Sequence, residues 1–197
     1  MPKGIVTELM HISQYFDNMA SFYATTLIQT PQTNEPPYIK IREFLYRFKT
    51  ASNHTYFILV EEYINQLFGI KFYAKNHRYS LNKYKLLTRN NNPQEVRSIF
   101  LTCLHIGSEL SKKYPNHSFA FIGCPKYNSN ETYENNQRFR LYRRMVTTFI
   151  SEDKFVSYQD KKYSTFLLIN QSALLQDPQL LITYRKMYLE HIISLLD

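Results

Sequence analysis

Tryptophan is absent from the chain, cysteine occurs twice, and only four glycines are present in 197 residues, at positions 4, 69, 107 and 123. With so few glycines, a cofactor site built on a flexible glycine loop is excluded, because such loops need several backbone amides unobstructed by Cβ atoms. No Walker loop, G-x-S-x-G or His-Glu-x-x-His pattern occurs. The six histidines, at 11, 54, 77, 105, 117 and 191, have no cysteine, carboxylate or second histidine at ligand spacing. No bound metal and no cofactor are expected. No apolar run approaches membrane-spanning length, so no membrane partner is expected. Cys103 and Cys124, in a chain with no apolar leader behind Met1, read as buried thiols in a reducing, cytoplasmic compartment.

Aromatics and positive charge are plentiful. Seventeen Tyr and fourteen Phe suit a layered protein whose tyrosines keep their hydroxyls wet. The formal charge is +8 and uneven: residues 36–90 carry ten Lys or Arg against three Glu. Such a band suits nucleic acid, a phosphorylated ligand or an acidic protein. As a solvated sheet edge it would instead guard against strand pairing.

The clearest unit runs from Asn92 to Cys124. Asn92, Pro93 and Glu95 form a capped helix start, and Val96, Ile99, Phe100, Cys103, Gly107 and Leu110 make one apolar face. Lys112 and Lys113 suit the last turn, Tyr114-Pro115-Asn116 ends it, and residues 118–123 read as a buried strand. Before this unit, Ile5 to Leu27 recur at helical spacing, so residues 1–30 read as a leading helical segment and 31–37 as a linker. Strands are expected at 39–50, 54–62, 67–74 and 83–88, with Lys71, Lys83 and Lys85 alternating with aromatics such as Phe72 and Tyr84. A polar loop spans 125–136, a helix 137–150, and two strands 154–159 and 163–170. A C-terminal helix over 171–197 has Asp177 as its cap and Pro178 at its first position. The fold class expected is one α+β or α/β domain over 38–170. It holds a mostly antiparallel, aromatic-rich sheet of about seven strands, with the helices at 93–113 and 137–150 packed on it and amphipathic helices at the termini.

Arg138, Arg140, Arg143 and Arg144 crowd one helix, where guanidinium forks can hold phosphates while Tyr133 or Tyr142 stacks a base. With Lys71, Lys83, Lys85 and Arg89 they make a candidate surface for nucleic acid or another anion. The plainer alternative is a surface helix whose arginines pair with Glu131, Glu134, Glu152 and Asp153. Glu61-Glu62 resembles one carboxylate side of a nuclease site, but Tyr63 and Ile64 follow where an acidic partner and a lysine would stand.

Over residues 67–169 the order of elements resembles the core of the acyl-CoA-dependent N-acetyltransferase superfamily, and Asn136 followed by Leu141-Tyr142 is similar to a motif on a helix of that superfamily. The resemblance implies acyl-CoA as substrate, Tyr142 as general acid toward the coenzyme thiolate, and a pyrophosphate turn near Arg89. At that turn the superfamily has an Arg or Gln followed by spaced glycines, whereas this chain has Arg89-Asn-Asn-Asn-Pro-Gln-Glu95. The chain is also similar to small uncharacterised bacterial proteins with the same arginine-rich helix after an aromatic strand. Three readings therefore stand: a non-catalytic protein binding nucleic acid or an acidic partner, a transferase-like enzyme, and a dimerisation or interaction module using the terminal helices.

Overall fold

The computed structural model describes residues 22–30, 40–86 and 93–187. One seven-stranded sheet organises them: β1 (Thr26–Gln29), β2 (Lys40–Lys49), β3 (Thr55–Tyr63), β4 (Leu67–Ala74), β5 (Ser118–Ile122), β6 (Phe155–Asp160) and β7 (Thr165–Asn170). Their order is β1-β2-β3-β4-β5-β7-β6, antiparallel at every junction except β4/β5. A parallel junction needs a crossover, which helix α1 (Pro93–Lys113) supplies. Helix α2 (Gln137–Phe149) carries the chain from β5 out to edge strand β6, and the short α3 (Gln171–Gln176) follows β7.

Local chemistry sets these boundaries. Turn residue Asn53 and, between β3 and β4, Asn65 and Gln66 all have φ near +60°. Asparagine tolerates that left-handed region better than most residues. Asn136 caps α2, its side chain accepting from the Phe139 amide at 2.9 Å, and Asn170 caps α3 in the same way through Ala173. Lys112 and Lys113 close α1 before Pro115.

Both faces of the sheet are apolar, which divides the core in two. Phe44, Ile58, Val60, Phe68, Phe119 and Phe166 meet α1 and α2 on one face. On the other, Leu67, Ala120, Leu167 and Ile169 are covered by Leu180, Tyr184 and Met187 from helical residues 180–187. The Tyr184 hydroxyl donates to the Asn65 carbonyl at 2.6 Å, fixing this cover to the β3–β4 turn.

Three expectations are corrected. Residues 83–88 form no strand as far as they are described. Residues 81–85 are successive turns, with the Lys85 amide donating to the Asn82 carbonyl at 2.8 Å, so Lys83 and Lys85 leave the ladder and only Lys71 alternates within it. The leading helix lies mostly outside the described residues, but its last stretch, Thr26–Gln29, is an edge strand on β2. Just before it the Tyr23 amide donates to Thr102 Oγ1 on α1 at 3.0 Å, which sets the chain's path onto the sheet edge. The C-terminal segment also starts differently, because Gln171–Gln176 forms a helix of its own before Asp177. Residues 188–197, and with them the far end of the expected C-terminal helix, lie outside the described residues, as do Asn92 and Arg89.

Candidate functional site

The β4/β5 ladder is short. Leu67, Phe68 and Gly69 pair with Ser118, Phe119 and Ala120, and there the pairing ends, although β4 runs on to Ala74 and β5 to Ile122. Beyond Gly69 and Ala120 no ladder pair joins the two strands, which leaves a break in the pairing and a small void of about 30 Å³ beside it. Phe72 and Phe121 flank it on the helix face and meet Phe100 of α1 and Tyr142 of α2. Tyr142 is buried and stacks on Phe100, with ring centroids 4.8 Å apart. Burial raises its phenol pKa well above the ordinary value and so holds it protonated.

One helical turn outward from Phe100 lies a cleft of about 570 Å³ between the amino end of α1 and α2. Pro93, Val96 and Arg97 line one wall, and Gln137, Leu141 and Arg144 the other. Neither Arg97 nor Arg144 pairs with a carboxylate among the described residues. Glu95, which a helix start beside an anion could ill accommodate, faces elsewhere. Its carboxylate accepts from Ser52 Oγ at 2.5 Å and lies 3.6 Å from His54 Nδ1. The cleft mouth therefore carries two guanidinium groups and no acid.

The residues singled out in the sequence divide into two sets. Lys71, Lys83, Lys85, Arg138 and Tyr133 gather around Tyr84 and Cys124. Lys71 lies over the Tyr84 ring at 5.7 Å, Lys83 over Tyr73 and Tyr84 at 4.9 and 5.2 Å, and Lys85 over Tyr133 at 5.9 Å. Arg138 is committed inward, donating to the carbonyls of Tyr84 and, at 3.1 Å, Lys85. Arg140 is exposed and donates to the Asn135 carbonyl, Arg143 is half-buried, and Arg144 stands apart in the cleft. Burial raises the phenol pKa of Tyr133.

Sequence reasoning missed Arg97, whose relation to Arg144 is purely tertiary. It singled out Glu61 and Lys71 separately but missed that they form one buried polar group on the sheet face away from α1. There Glu61 accepts from the Tyr63 hydroxyl at 2.6 Å and pairs with Lys71 at 2.5 Å, beside Gly69. Alternate carboxylate, tyrosine and lysine positions on adjacent strands were the available signal. No helix among the described residues is long and apolar enough to cross a membrane. No protein-family model, no curated protein and no solved structure matches the chain.

Proposed function

We propose that the chain binds an acyl-coenzyme A in the cleft between α1 and α2 and acts as a transferase-like enzyme, with the thioester end reaching the break in pairing between β4 and β5. The observation that carries this reading is the closeness of the two features. A cleft bearing Arg97 and Arg144, with no acid at its mouth, lies one helical turn from Phe100 and Tyr142, which pack beside the point where the β4/β5 ladder stops. Guanidinium forks suit phosphate, and strands whose ladder stops offer backbone groups able to pair with an extended ligand arm. In the reaction an acceptor amine would form a bond to the thioester carbonyl carbon as the C–S bond breaks. The amine proton passes to solvent and the leaving thiolate takes a proton from solvent, while Tyr142, held neutral by burial, donates a hydrogen bond to the sulfur as charge develops on it.

The test is thermal unfolding with acetyl-CoA. A ligand at a hundred times its Kd adds about 2.7 kcal/mol of stability, so a clear rise in Tm is expected. Arg144→Glu should abolish the rise and Arg140→Glu, outside the cleft, should keep it. No shift at saturating coenzyme would remove the reading.

A second reading draws on the lysines laid over Tyr73, Tyr84 and Tyr133. Cations beside aromatic faces suit single-stranded nucleic acid or an acidic partner protein. Fluorescence anisotropy with labelled DNA and RNA across a salt series tests it. A steep salt slope that flattens in Lys83→Ala supports this reading, and flat traces at low salt reject it.

A further inference from the structure

A second cavity, of about 300 Å³, lies between α1, the end of α2 and the sheet. Its inner wall is apolar: Ile70, Leu104, Phe119, Phe121, Phe155 and Leu168. The α1 backbone forms part of the wall at Gly107, where a Cβ would sit 3.5 Å from Ile70 Cδ1. The polar lining comes from α1 and from Ser151 and Lys154. Lys154 Nζ donates to Ser111 Oγ at 2.6 Å, while Glu109 is taken up by Lys112, also at 2.6 Å. His105 stacks on Phe22 with centroids 3.9 Å apart, and burial lowers its pKa, so it is neutral near pH 7. Burial likewise lowers the pKa of Lys154, which has no carboxylate partner among the described residues. The rim thus holds one uncompensated ammonium beside a hydroxyl.

That arrangement selects its ligand. A cavity at the small end of the range for ligand sites excludes nucleotides and large cofactors. An apolar wall offers nothing to the hydroxyls of a sugar, since each buried polar group without a partner is costly. One ammonium and one adjacent hydroxyl provide two donors, which match the two oxygens of a carboxylate. We propose that this cavity binds a medium-chain monocarboxylate, its hydrocarbon body against Phe119, Phe121, Phe155 and Leu168 and its carboxylate held by Lys154 and Ser111. The cavity adjoins the α1–α2 cleft, the two sharing Phe149, but Lys154 and Ser111 line the cavity and not the cleft.

Isothermal titration of the full chain with decanoate, decanol and decylamine tests the proposal. Decanoate should bind saturably at one site, with decanol about tenfold or more weaker, the effect of losing one charge-assisted contact, and decylamine weaker still. Lys154→Met should bring decanoate to the affinity of decanol while leaving decanol unchanged. Gly107→Leu, which fills the cavity, should abolish binding of both. Should that variant fail to fold by circular dichroism, Lys154→Met, at a rim position, carries the test. Absence of saturable binding, equal affinity for decanoate and decanol, or decanoate binding indifferent to Lys154→Met would each overturn the proposal.

Discussion

Glu61 and Glu62 are neighbours in sequence, both buried, and they neutralise different cations on opposite faces of the sheet. Glu61 pairs with Lys71 on the face away from α1. Glu62 pairs with Arg42 and with His117 Nε2, the latter at 3.2 Å, beneath Phe68 and Tyr114 on the helix face. The two-residue period of a strand enforces the split. The two carboxylates therefore cannot converge on one metal ion, and a nuclease-like use of the pair is ruled out by geometry.

The Glu62 cluster makes stability pH-dependent. Burial lowers the pKa of His117 against the opposing pull of Glu62. The unfolded chain then binds the proton more readily, so stability is full above about pH 6.5 and falls as pH drops below it. Burial acts to raise the Glu62 carboxyl, but hydrogen bonds from Arg42 and His117 outweigh it and hold the group below its ordinary value. Its contribution is present above about pH 4.3 and is lost as pH falls through the lower folded value. Urea unfolding from pH 8 to 3 should show both losses. His117→Gln should flatten the first and Glu62→Gln the second.

Gly123 should tolerate no side chain. A Cβ there would lie 2.7 Å from both Asn136 Oδ1 and the Phe139 amide nitrogen, the two atoms that make the α2 cap. Gly123→Ala is expected to cost about 2–3 kcal/mol, at the upper end for an overpacked site. Chemical denaturation measures it. An unchanged midpoint would contradict the cap geometry.

Arg138 and Arg140 should behave differently despite their spacing. Arg138→Ala frees the carbonyls of Tyr84 and Lys85, the latter also accepting from the Tyr127 amide at 3.2 Å. Hydrogen exchange at Tyr127 and Lys85 should quicken, with a stability loss of about 1–3 kcal/mol for a charged hydrogen-bond donor. Arg140→Ala, at an exposed position, should stay within about 0.5 kcal/mol of the wild type.

The thiols should be inert in the folded chain. Burial raises the pKa of both Cys103 and Cys124, so neither forms thiolate readily near neutrality. Cys124 is partly accessible and Cys103 is buried. A thiol reagent at pH 8 should modify Cys124 slowly and Cys103 only after unfolding. Rapid modification of two thiols in native protein would contradict this burial.

Much of this architecture could be read from local chemistry. Pro93, the apolar stripe from Val96 to Leu110 and the stop at Pro115 delimit α1 as found, and β4 matches its expected span. The failures share a cause. Residues 83–85 alternate lysine and tyrosine as a strand would, but their side chains satisfy that pattern by lying over Tyr73, Tyr84 and Tyr133 instead of joining a ladder. Thr26–Gln29 continues a helical spacing, yet the open edge of β2 recruits it. Arg138 looked like a solvent-facing ligand because sequence does not reveal which carbonyls a distant loop will offer. For the same reason the cleft could be expected at the start of α1, while Arg97 as Arg144's counterpart could not.

The three residue pairs between β4 and β5 also have a mechanical meaning. Apart from edge strand β1, which also makes three pairs with its neighbour, every other junction of the sheet is longer, so β2–β4 and β5–β7 form two plates sewn together by one short seam. A load drawing β2 away from β6 would tear this seam first, leaving α1 as the tether between the plates.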